Sequence, residues 1–199
     1  MRKLTVISAG LSQPSSTRLL ADRLTAATQK GVEAEVTTIE LRDVAVDVTN
    51  MMLMGFASPK LQSVLDAVAN ADALIAVTPI FTTSYSGLFK SFIDVLEPDA
   101  LDGMPVLIGA TGGTERHSLA LDYALRPMFT YLHAVVAPTG VYAATSDWGD
   151  AEAKLGQRIE RAAAAFAALV RDSDRSSRVR DPFALPPGFS PIGGFSPNS

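Results

Sequence analysis

Short apolar runs recur along this chain, and each is followed by a longer segment with helical spacing. That alternation constrains the fold more than any other feature. Lys3–Ala9 reads as a buried strand and Ser15–Gln29 as a helix. Ala34–Leu41 alternates as a β-rich strand, and Ser58–Asn70 sets Leu61, Val64, Leu65 and Val68 at helical spacing. Asp72–Val77 is a strand, Tyr85–Leu96 a helix and Met104–Ala110 a strand. Ser118–Leu132 is helical, Ala134–Tyr142 a strand and Ala151–Val170 an Ala-rich helix. Five strands alternating with five helices imply parallel pairing, with helices covering both faces of one sheet. The expected architecture is an α/β three-layer sandwich with a five-stranded parallel sheet of order 2-1-3-4-5.

Two segments break the rhythm. Val44–Ala57 reads as a long connection, with Met51, Met52 and Met54 near Phe56. It is either a cover for the core or an adaptable wall of a pocket or subunit contact. The globular domain is expected to span residues 1–172. Residues 173–199 form a tail rich in proline and glycine, without a core of its own. Its spaced Phe183, Leu185, Phe189, Ile192 and Phe195 suit either a disordered tail or one docked on a neighbouring subunit.

Several functions are excluded by composition. A net charge of −4 is not the basic footprint of a nucleic-acid binder. No apolar run approaches the roughly 20 residues of a membrane span, and the N-terminal apolar segment is too short for a secretory signal. The absence of cysteine rules out thiol chemistry and fits a cytoplasmic protein. His117 and His133 are the only histidines and show no metal-ligand spacing.

Three loops carry the candidate chemistry, and all three follow strands. In an open parallel sheet, ligands bind at the carboxyl ends of the strands. The first loop brings Ser12, Ser15, Ser16, Thr17 and Arg18 to a helix start. Helix N-termini have unpaired N–H groups and attract anions. A single N-cap needs one hydroxyl, so four hydroxyls in one turn favour an anion site over simple capping. The loop lacks both the lysine of a P-loop and the three glycines of a dinucleotide fingerprint, which favours a monophosphate. The second loop, Pro79, Ile80, Phe81, Thr82, Thr83, Ser84 and Tyr85, combines a rigid turn, hydroxyls and flat rings suited to a planar heterocycle. Lys90 and Asp94 beyond it sit at i,i+4 and read as a surface pair. The third loop is Thr111, Gly112, Gly113 and Thr114, whose glycines let backbone approach a ligand. Arg18 and Arg116 are candidates for the 2′-phosphate of a dinucleotide. Pro127 lies inside an apparent helix and cannot donate to the carbonyl of Tyr123, so the helix must rearrange there.

Together ISAGLSQPSSTRLLADRL, TPIFTTSYSGLFKSFID and ATGGTERHSLALDYALRPMFTYLHA resemble the NAD(P)H-dependent FMN reductase family. The nearest likeness is to reductases that supply two-component monooxygenases such as the alkanesulfonate system. The resemblance covers roughly Leu4 to Tyr142 and implies a flavodoxin-like fold. It implies FMN phosphate at Ser12, Ser15, Ser16 and Thr17, with Arg18 in place of the family's usual arginine. It implies flavin contacts from Pro79 to Tyr85 and a loop beside the ring at Gly112 to Thr114. Tyr123 matches a tyrosine in a π-helical insertion at a tetramer interface and is a candidate modulator. The implied activity is hydride transfer from NADPH or NADH to flavin N5, with no catalytic side chain and no metal. A homodimer or homotetramer and a flavin-dependent monooxygenase partner are implied as well. The competing readings are an FMN-containing quinone, azo-dye or chromate reductase and a flavodoxin-type electron carrier.

Overall fold

Strands buried on both faces of a parallel sheet need unbroken apolar runs, and the central runs of this chain supply them. In the computed structural model, which describes residues 1–149 and 152–175, they form β1 (Arg2–Ser8), β3 (Ala73–Phe81) and β5 (Pro105–Gly112). β2 (Ala34–Glu40) pairs in parallel with β1, β1 with β3, and β3 with β5. The last sheet position is shared by β6 (Val135–Val136) and β7 (Val141–Ala144), both parallel to β5. With the short antiparallel β4 (Ser84–Tyr85) set aside, this is the expected 2-1-3-4-5 order.

Helices cover both faces. α1 (Ser16–Gln29) and α6 (Glu152–Asp172) pack on one side, where Leu20, Leu24, Ile159 and Phe166 meet Val6, Ile75 and Leu107. α2 (Ala45–Met54), α3 (Pro59–Ala69), α4 (Gly87–Asp94) and α5 (Arg126–Tyr131) cover the other. There Leu61, Phe89, Phe92 and Phe129 pack with Ile7, Leu74 and Ile108. Each such buried side chain contributes about 1.5–3 kcal/mol.

Four boundaries differ from expectation. The Val44–Ala57 connection is largely the helix α2, closed by Gly55 at φ 82° with its N–H on Met51 O. Tyr85 belongs to β4, and the helix expected from Tyr85 starts at Gly87, capped by Ser86. The helix expected over Ser118–Leu132 is a 3-10 turn (Glu115–His117), a π turn (Leu121–Leu125) and α5. Pro127 lacks the N–H that would close an α-turn on Tyr123, and the backbone widens instead. The strand expected over Ala134–Tyr142 is split around Pro138, where Arg126 donates to Ala137 O and Pro138 O. Gly140 lies so close to β5 that a Cβ would come within 2.9 Å of Ile108.

Of the tail, Ser173 to Arg175 are described, and the expectations for residues 176–199 lie outside the described residues. Arg175 anchors the chain beneath the sheet. Its guanidinium donates to Ala71 O at 2.9 Å, Ala100 O at 2.6 Å, Ala69 O at 3.2 Å and also to Asp102 O.

Candidate functional site

The parallel strands end on one edge, and β1 and β3 flank the point where strand order reverses, the usual binding crevice of such sheets. A cleft of about 510 Å³ opens there. Its floor and one wall come from the loop after β1: Gly10, Leu11, Ser12, Ser15, Ser16 and Thr17. Pro79, Ile80 and Phe81 at the end of β3 form a second wall, and Thr111, Gly112 and Gly113 a third. Thr145 and Trp148, after β7, complete the lining.

Each wall has a local cause. Ser15 caps α1 by accepting from Arg18 N at 3.2 Å. The N–H groups of Ser16 and Thr17, in the first turn, have no partner within the helix by its geometry. A Cβ on Gly10 would overlap the Ser15 hydroxyl and displace it from its capping position. Thr17 is buried, and its hydroxyl is hydrogen bonded to that of Thr111 at 2.8 Å, which ties the first loop to the third. Thr78 accepts from Ser86 N at 3.1 Å and holds the β3–β4 hairpin against α4. Phe81 is 49% exposed and offers a ring to the cleft. A Cβ on Gly113 would meet nothing within 4 Å, so its backbone faces open space. Gly112 lies against Tyr142, whose Oη donates to Thr114 O at 2.7 Å. Burial pushes the Tyr142 phenol up from its ordinary value, and the nearby Glu115 and Asp147 carboxylates push it further. It therefore stays a neutral donor.

The three loops predicted to converge do converge, but not every residue in them reaches the cleft. Thr82, Thr83 and Ser84 stand at the hairpin tip outside the lining, and Tyr85 packs against Phe89 with tilted rings 6.2 Å apart. Thr114 also lies outside and meets Tyr142 through its carbonyl. Arg18 points away, pairing with Asp22 and Glu40 at 2.7 Å each. These two carboxylates leave it a poor candidate for a ligand phosphate. Arg116 is exposed. Tyr123 is 79% exposed within the π turn. Lys90 and Asp94 form the expected surface pair at 2.6 Å. Gly10 and Leu11 of the first loop also reach the cleft, whereas Thr145 and Trp148 belong to a fourth loop that was not foreseen. The lone tryptophan directly after the last strand was the available signal for the fourth loop.

The residues present suit FMN. Free N–H groups and the Ser12 and Ser16 hydroxyls at a helix N-terminus match a phosphate. Phe81, Trp148 and the open backbone of Gly113 match a flat ring system. Fold and cleft together define a flavodoxin-like flavin-binding protein. Residues 2–149 match the family described as NADPH-dependent FMN reductase, and the chain belongs to it. An FMN reductase (NADPH) from Pseudomonas aeruginosa is 37% identical over 82% of this chain and 92% of its own length. The NADH-dependent FMN reductase SfnF from Pseudomonas fluorescens is 36% identical over 82% of this chain and 91% of its own. The solved structure of an oxidoreductase from Corynebacterium diphtheriae superposes with a TM-score of 0.84 at 48% identity, covering 87% of this chain and 98% of that one. The expected fold, family and oxidoreductase class are met.

Proposed function

We propose that the cleft binds FMN and a nicotinamide dinucleotide together, and that the protein releases reduced FMN to a flavin-dependent monooxygenase. The observation that carries this reading is the convergence of the α1 N-terminus, Phe81 and the Gly112–Gly113 backbone on one cleft. Bound FMN supplies the chemistry by accepting a hydride from the dinucleotide. The protein supplies position. The N–H groups of Ser16 and Thr17, with the Ser12 and Ser16 hydroxyls, hold the phosphate. Pro79 to Phe81 and Gly112–Gly113 would hold the ring. No side chain needs to donate or remove a proton at the reacting atom.

Release of flavin is supported by the absence of a cation among the described residues that line the cleft: Arg18 is spent on Asp22 and Glu40. A phosphate held by dipoles and hydroxyls alone leaves more readily than one held by a guanidinium. The protein works as a homodimer or homotetramer in the cytoplasm. Apolar Met52, Leu53, Met54 and Phe56 beside α2, and Tyr123 in the π turn, are exposed and suit contacts between copies. No described helix is long and apolar enough to cross a membrane.

The test is steady-state oxidation of NADPH and NADH with FMN added. Turnover that saturates in FMN supports the reading. No FMN-dependent turnover with either nucleotide overturns it.

A further inference from the structure

Beside the cleft, across the wall formed by residues 113–115 and 145–148, lies a second groove of about 440 Å³. The two share their dividing loops. Gly113 and Trp148 line the first, and Glu115 and Asp147 line the second. Its far wall is α6, which presents Lys154, Arg158 and Arg161. These positions are spaced i, i+4 and i+7 and fall on one helix face.

Charge on α6 is segregated. Its acidic Glu152 and Glu160 turn toward α1, where they pair with Arg23 at 2.6 Å and Lys30 at 2.5 Å. On the groove side, Arg158 is committed to Asp147 and to Tyr142 O at 2.8 Å. Asp147 also accepts from Ala144 N at 2.8 Å. Glu115 accepts from the Ser146 hydroxyl, which lowers its carboxyl below the ordinary value. Lys154 and Arg161 are exposed, and neither makes a hydrogen bond or ion pair with a described residue. Among the described residues, the groove therefore holds two uncommitted cations.

We infer that Lys154 and Arg161 bind the 2′-phosphate of NADPH and set the preference for NADPH over NADH. The inference rests on the reading of the first cleft as the flavin and nicotinamide site. A dinucleotide with its nicotinamide in the first cleft needs further surface for its adenosine end, and this groove adjoins that cleft across the shared loops. The groove places cations there, and the only feature distinguishing the two nucleotides is a phosphate at that end. Of the two cations expected for this role, Arg18 is paired with its own carboxylates and Arg116 lies outside the groove lining. The dinucleotide's other phosphates are common to both nucleotides and give no preference.

The experiment pairs kinetics with binding, using the full chain and a Lys154→Gln/Arg161→Gln variant. Both side chains are exposed, so the variant is expected to match the wild type in circular dichroism and FMN affinity. The KM for NADPH should rise about tenfold or more, since hydrogen bonds to charged groups are worth roughly 1.5–3 kcal/mol. The KM for NADH and both kcat values should stay within about twofold, a change below 0.5 kcal/mol. In calorimetry, 2′-AMP should bind the wild type more tightly than 5′-AMP or inorganic phosphate, and the variant should lose that advantage. Glu115→Gln should lower the KM for NADPH by removing a like charge. Equal effects on both nucleotides, or none, overturn the inference. So does a wild type that binds inorganic phosphate as tightly as 2′-AMP. If FMN-dependent turnover is absent altogether, the flavin reading fails. The 2′-AMP comparison then decides the groove alone: loss of binding in the variant supports it, and no binding by the wild type overturns it.

Discussion

The buried hydroxyls near the cleft fall into two energetic classes. The Thr17 and Thr111 hydroxyls satisfy each other inside the protein. Removing one strands the other, at a cost of about 1–3 kcal/mol. Thr17→Val should therefore lower stability in urea by that amount, and a Thr17→Val/Thr111→Val double variant should recover part of the loss. Ser8, in contrast, buries an Oγ with no partner among the described residues. Ser8→Ala is expected to leave stability unchanged or raise it, and a loss above about 1 kcal/mol would show that the hydroxyl is bonded in solution. Tyr142 gives a pH prediction. Its folded pKa is raised above the ordinary 10.0, so the stability it contributes is complete below pH 10.0 and is lost as pH rises through the folded value. Tyr142→Phe should abolish this alkaline loss, read from urea midpoints across the range. At this scale the hydroxyl-rich turn was legible because helix starts have a recognisable chemistry. The outward turn of Arg18 was not, because Glu40 meets it from another strand.

The β3–β4 hairpin shows what local sequence conceals at the scale of elements. Thr82 and Thr83 both have positive φ, at 48° and 71°. Such two-residue turns favour Asn-Gly, and β-branched residues are strained there. A threonine pair carries no hairpin signal, so the stretch reads as a loop running straight into a helix at Tyr85. The strain can be relieved. Thr82→Asn/Thr83→Gly should raise stability by about 1–3 kcal/mol, measured by urea denaturation. An unchanged or lower stability would mean the turn is not strained in solution. α2 escaped notice for a different reason: it fully buries only Val48 and leaves Val46, Met52, Leu53 and Met54 exposed. Without an inward stripe, helical spacing has no signal. The π turn was partly legible, because a proline four residues after Tyr123 forbids a regular turn.

For the whole molecule, the sheet order followed from the alternation of elements, since parallel strands need crossovers and few arrangements satisfy them. What the chain does beyond α6 was not legible. Arg175 gathers four carbonyls from the end of α3, the turn after it and the segment before β5, contacts between residues 73 to 106 positions apart in sequence. Arg175→Ala should cost about 1–3 kcal/mol in urea denaturation, and Arg175→Lys should not fully restore it, because an ammonium lacks the planar fork. In the function proposed for this protein, FMN sits in the edge cleft with its phosphate on the first turn of α1. Fluorescence titration with FMN and with riboflavin, which lacks the phosphate, tests this most directly. FMN should bind at least about tenfold more tightly, from charge-assisted hydrogen bonds of roughly 1.5–3 kcal/mol. Equal affinity for the two flavins would contradict the account.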